Sequence, residues 1–178
     1  MLQVALLRGI NVGGRNKLPM ADLVALFRSL GCDPVRHYIQ SGNIVFGAPK
    51  PWGRAEVAAL RAAIAAAHGF SPPVLVIKDA AIRQALARNP FPAAEGNRLS
   101  YFFLETAPTA PDRKRLDALK ASTEAWALVG QVFYLHAPDG FADSKLGAGA
   151  EAALGVTATA RNGNTVARLV QMLDDLTS

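Results

Sequence analysis

Short apolar runs of strand length alternate with longer stretches of helical period, and the alternation passes through the same order twice. In the first half, Leu2–Leu7, Val35–Gln40, Ile44–Phe46 and Val74–Ile77 are strand-like. Leu2–Leu7 is apolar on both alternating faces, which suits a central strand. Pro19 opens a helix with Met20, Leu23, Phe27 and Leu30 on one face, and Gly31 follows its end. Arg54–Ala67 is a second helix that turns Val57, Leu60, Ile64 and Ala67 to one side, ended by His68-Gly69. Ser41-Gly42-Asn43 is a turn signal between two strands.

Asp79–Arg88 predicts a linking helix capped by Asp79, and Asn89-Pro90-Phe91-Pro92 stops it. The second half then repeats the order. Leu99–Leu104 is a strand, Pro111–Ala121 a helix, and Ala125–Val129 with Val132–His136 a hairpin around Gly130-Gln131. Ser144–Leu154 is a helix with Gly155 as its stop, Thr157–Ala160 a weak strand, and Asn164–Leu176 a final helix. The reading is an α+β protein: a tandem of two ferredoxin-like (βαββαβ) subdomains with antiparallel sheets, plus a linking and a C-terminal helix. The expected division is 1–78, a linker over 79–97, and 98–178 with the terminal helix.

This topology makes a spatial prediction. Strands one and two of such a unit run parallel through a right-handed crossover, and strand three returns between them. The loop Arg8–Lys17 and the turn Gln40–Asn43 should therefore meet at one edge of the sheet. The loop carries Gly9, Gly13 and Gly14, which let backbone approach a ligand closely, and Arg8, Arg15 and Lys17, which supply charge. Asn11, Gln40, Ser41 and Asn43 add directional donors and acceptors, and the helix opened by Pro19 adds its positive end. Equally, asparagine and glycine are ordinary turn residues that bond their own backbone. The spacing matches neither G-x-x-x-x-G-K-[ST] nor G-x-G-x-x-G. A third polar cluster, Arg161-Asn162-Gly163-Asn164-Thr165, opens the last helix. Arg161 and Asn164 are candidate anion contacts there, with helix capping by Asn162 or Asn164 as the competing reading.

Leu6-Leu7-Arg8-Gly9-Ile10-Asn11-Val12-Gly13-Gly14, Pro19-Met20 and Tyr38-Ile39-Gln40-Ser41-Gly42-Asn43-Ile44-Val45-Phe46 resemble the signatures of a bacterial family called domain of unknown function 1697. Asn89-Pro90-Phe91, Ser144-Lys145-Leu146 and Arg161–Thr165 fall where that family has similar segments. The resemblance implies two ferredoxin-like halves and supplies no activity. It also marks one departure: Gly163 stands where the family commonly has an aromatic.

The chain has 178 residues, 51% of them hydrophobic, which is enough for a real core. No apolar run approaches the roughly 18 residues of a membrane span, and the N-terminal run lacks the features of a signal peptide. A single cysteine, Cys32, excludes an internal disulfide, and the expected location is cytoplasmic. The formal net charge of +5 is uneven: residues 1–89 carry +7 and residues 90–178 carry −2. A basic half points to an anionic partner, although no dense basic cluster appears.

Catalytic constellations are absent from the pattern. His37, His68 and His136 have no metal-ligand spacing, so no metal site is expected, and His68 suits a helix end. Cys32 reads as a buried thiol, Ser41 lies in no nucleophile elbow, and Asp143-Ser144-Lys145 reads as a helix cap. Tyr101, Phe102, Phe103, Phe133 and Tyr134 read as core, since no RNA-binding aromatic motif accompanies them. No catalytic residue and no cofactor are specified. The leading reading is a small-ligand or anion-binding module that uses residues 8–17 and 40–43. The alternatives are nucleic-acid binding through the basic half, and a structural protein that pairs sheet edges.

Overall fold

The computed structural model describes residues 1–177. Eight strands form two four-stranded antiparallel sheets. The first contains β1 (Leu2–Leu7), β2 (Val35–Tyr38), β3 (Asn43–Gly47) and β4 (Val74–Lys78) in the spatial order β2-β3-β1-β4. Helices α1 (Met20–Ser29) and α2 (Arg54–His68) are the two crossovers. After α3 (Asp79–Ala87) and a 3-10 turn at Gly96–Arg98, the second sheet contains β5 (Leu99–Leu104), β6 (Ala125–Val129), β7 (Val132–His136) and β8 (Ala158–Asn162). Its order is β6-β7-β5-β8, with α4 (Arg113–Leu119) and α5 (Lys145–Leu154) as crossovers, and α6 (Gly163–Asp174) follows.

The chain separates into two compact units, one of Met1–Arg83 with the residues from Leu169 onward, the other of Gln84–Arg168. In the first unit, the register Val4↔Val45 and Val4↔Ile77 places β1 in the middle. Both of its faces are covered, as the unbroken apolar run requires: Ala5 and Leu7 on one side and Val4 and Leu6 on the other are all fully buried. Ala5 and Leu7 pack with Leu23, Phe27, Ile44, Phe46, Leu60 and Ile64, so the apolar stripes of α1 and α2 close one face of this sheet. Phe27 stacks on Trp52 with ring centroids 5.1 Å apart, and Phe46 tilts against both. A fully buried phenylalanine of this kind contributes about 2–3 kcal/mol of transfer free energy. The second unit has its own core of Phe102, Leu104, Leu116, Phe133, Leu135, Leu146, Ala150 and Leu154.

Several ends differ from the sequence expectation for local reasons. β2 stops at Tyr38 because Ile39 turns to a left-handed φ of 49°. α4 starts at Arg113, with Asp112 rather than Pro111 at its cap: the Asp112 carboxylate accepts from the Arg115 N–H at 2.9 Å. Asp79 is the first residue of α3, and its side chain pairs with Arg83 one turn on. β8 extends to Asn162, whose Oδ1 accepts from the Thr165 N–H at 2.9 Å, so Asn162 and not Asn164 caps α6. Gly163 lies against Gly96 backbone to backbone, and a Cβ built on it would sit 3.1 Å from the Gly96 carbonyl oxygen. The glycine there thus goes with a close approach of two chain segments.

Candidate functional site

The segment Arg8–Lys17 is a projecting hairpin. Val12 and Arg15 pair as an isolated antiparallel bridge, the Arg15 N–H donates to the Val12 carbonyl, and the Asn11 N–H donates to the Asn16 carbonyl, each at 3.0 Å. Gly13 and Gly14 form the tip with φ of 57° and 74°, the two left-handed residues that a type I′ turn demands. The sequence carries a signal for it: Val12-Gly13-Gly14-Arg15 holds the Gly-Gly pair of a two-residue hairpin, which glycine content alone does not single out.

Asn11 anchors the hairpin. Its Oδ1 accepts from the Leu18 N–H at 2.8 Å, while its Nδ2 donates to the Leu18 and Gln40 carbonyls at 2.9 Å each. Asn16 Nδ2 donates to the Gly9 carbonyl at 2.9 Å. Both asparagines have left-handed φ, 53° and 51°, a conformation their short polar side chains tolerate.

The hairpin and the 38–43 turn do meet, 29 residues apart in sequence, through Asn11 and the Gln40 carbonyl. A second link runs from the Leu7 N–H to the Gly42 carbonyl at 2.8 Å. Gly42 allows this approach. Its φ is 78°, and an added Cβ would lie 2.7 Å from Leu7 Cβ and 2.9 Å from Ile10 Cδ1. Asn43 is fully buried and donates to the Tyr38 carbonyl at 3.1 Å and to Ser41 Oγ at 2.9 Å. Between them stands Ile39, a β-branched residue at positive φ and 48% exposed. Such a conformation is sterically costly and is held by the hydrogen bonds on either side.

The predicted residues therefore divide by role. Asn11, Ser41 and Asn43 build the corner, Gln40 contributes its carbonyl, and Gly13 and Gly14 shape the tip. Arg8, Gly9, Arg15 and Lys17 are exposed, as are Val12 on the hairpin and Arg36 and His37 on β2. These exposed side chains stand on the hairpin and on the neighbouring edge strand. A cavity of about 430 Å³ lies in the second unit, lined by residues between Ala118 and Lys145, of which the sequence pattern singles out only the helix-flanking Asp143, Ser144 and Lys145.

Arg161 and Asn164 belong to the second unit. Arg161 is half-buried, donates from Nη1 to the Ala160 carbonyl at 2.8 Å, and has its pKa pushed down to about 10 by loss of solvent. Asn164 sits against Gly96. Cys32 is buried, and burial raises its thiol pKa to about 11. His68 lies 3.6 Å from Asp22, linking α2 to α1. Among the described residues, no cluster of three or more His, Cys, Asp and Glu side chains is placed to hold a metal ion. Nor, among them, is any helix long and apolar enough to cross a membrane.

The corner just described lies wholly within the stretch matched by a known family, described as "Protein of unknown function (DUF1697)", which covers residues 1–134. The chain belongs to this family. The match takes in the hairpin, the 38–43 turn and the sheet that carries them, and ends within β7 of the second unit. Among solved structures, this DUF1697 chain is similar to the conserved bacterial protein SP0830 from Streptococcus pneumoniae, at 23% identity and a TM-score of 0.66. The similarity covers 97% of this chain and 98% of that one, so the two share a fold along their length. No curated protein matches the chain.

Proposed function

We propose that the first unit binds a phosphate-bearing anion on the face made by the Val12–Arg15 hairpin and the Tyr38–Asn43 turn. The observation that carries this reading is the pairing of exposed charge with a fixed scaffold. Arg15 and Lys17 stand exposed on a hairpin that Asn11 pins to both Leu18 and Gln40, so the backbone that carries them has little ordering entropy left to lose on binding. The glycine tip lets a ligand approach the backbone, and the surrounding half of the chain is basic.

Within this reading, the exposure of these cations favours an extended polyanion over an enclosed small molecule. A small ligand takes most of its affinity from a concave site, whereas phosphate backbones are bound on exposed cationic surfaces. A labelled short oligonucleotide, followed by fluorescence anisotropy against salt, tests this. Binding should weaken as salt rises, and Arg15→Ala with Lys17→Ala should flatten the log–log slope by about 1.5 to 2. Competition by a mononucleotide or inorganic phosphate at comparable concentration would instead support the small-ligand version. No binding by any of the three at low salt would remove the proposal.

We also infer that the two units are tandem ferredoxin-like halves. The supporting feature is the matching sheet order, with the first strand of each unit central, the third beside it, and the second and fourth at the edges.

A further inference from the structure

The 430 Å³ cavity lies between the C-terminal end of α4, the N-terminal end of α5 and the segments that follow α4 and β7. Its volume falls in the range of about 300–1,000 Å³ typical of small-molecule sites. Both signs of charge line it: Lys120 and Lys145, with Glu124, Asp139 and Asp143. Thr123 Oγ1 donates to Asp139 Oδ2 at 2.6 Å and ties the two segments together.

Glu124 is the unusual member, being only 7% exposed. Its Oε2 accepts from the Ala121 N–H at 2.9 Å, and its main-chain carbonyl accepts from Lys120 Nζ at 3.3 Å. Its Oε1 accepts no hydrogen bond among the described residues. That oxygen keeps contact with solvent at the cavity wall, so a ligand donor would take the place of water there. The topology does not force this opening. In the first unit the corresponding corner, between the end of α1 and the start of α2, is occupied by Trp52, stacked on Phe27 and tilted against Phe46. The second unit leaves that corner open and lines it with charge.

We propose that this cavity binds a small zwitterion of the amino-acid or short-peptide class. The ligand's ammonium group meets Glu124 and Asp139, and its carboxylate meets Lys145 beside the N-terminal end of α5, whose dipole favours an anion. A purely anionic ligand would face three carboxylates, and a purely cationic one two ammonium groups. This site is in a different unit from the hairpin face and does not depend on it.

The test uses the full ¹⁵N-labelled chain titrated with glycylglycine, with inorganic phosphate and putrescine as single-charge-type controls. Saturable amide shifts confined to residues 118–124 and 137–147 are expected with the dipeptide and not with either control. Glu124→Gln keeps the shape and an acceptor for Ala121, and should weaken binding about tenfold, the scale of one lost charge-assisted hydrogen bond. Lys145→Ala, at an exposed position, should weaken it similarly and decides the matter if the buried variant does not fold. Absence of saturable shifts, equal saturation by phosphate or putrescine, or an unchanged dissociation constant in Lys145→Ala would each overturn the proposal.

Discussion

Replacing Asn11 with alanine removes three hydrogen bonds at once: one accepted from the Leu18 N–H and two donated, to the Leu18 and Gln40 carbonyls. The two bonds to Leu18 are partly buried and the one to Gln40 is exposed. At about 1 kcal/mol for each partly buried bond and half that for the exposed one, the loss is about 2.5 kcal/mol. Alanine must also hold the left-handed φ of 53°, which costs about 1 kcal/mol more than it does for asparagine or glycine. Asn11→Ala should therefore destabilise the first unit by about 3.5 kcal/mol, and Asn11→Gly by about 2.5 kcal/mol. Urea unfolding followed through Trp52, in a Trp126→Phe background, reads the first unit's transition. Hydrogen exchange at the Leu18 amide reads the lost bond directly. If Asn11→Ala costs under 1 kcal/mol, or if the glycine variant is no better than the alanine one, the claim that Asn11 anchors the hairpin is wrong.

Gly42→Ala and Gly14→Ala separate strain from collision. Both sites have positive φ, but only Gly42 has a neighbour within 3 Å of the added Cβ, so the expected costs are about 3 and about 1 kcal/mol by urea unfolding. The Glu56 carboxyl pKa is held down to about 2 by Lys50 Nζ at 2.7 Å and by the Gly53 N–H at 2.9 Å, from an ordinary 4.5. Because the folded value is the lower one, the contribution is whole above pH 4.5 and is lost as pH falls through 2. A carboxyl-carbon NMR titration that placed Glu56 near its ordinary value would contradict the capping geometry. Cys32, buried and with its pKa raised to about 11, should resist a disulfide reagent at pH 8 in the native protein and react promptly in denaturant. Rapid labelling of the folded chain would show the thiol to be accessible.

The order of elements was legible in the sequence because each rests on local chemistry. Leu99–Leu104 and Val132–His136 coincide with their strands. Ser144 caps α5 and Gly155 ends it in a left-handed conformation, as their positions imply. The topology drawn from that order was enough to bring residues 8–17 beside residues 40–43. What it could not give was the division of labour within the corner. Asn11, Arg15 and Lys17 read alike as polar loop residues, yet Asn11 is spent on Leu18 and Gln40 while Arg15 and Lys17 stand in solvent.

Sequence alone thus determined the strands and their crossover helices and the glycine-rich character of the loop between β1 and α1, since period and backbone sterics act over a few neighbours. Tertiary structure alone decided that Gly42 must lack a side chain because Leu7 and Ile10 crowd it. It also decided that Ile39 holds a strained backbone, and that one unit fills with Trp52 the corner that the other leaves open around Glu124. Those outcomes depend on which groups distant in the chain arrive together, and on what space, water and charge remain once they do.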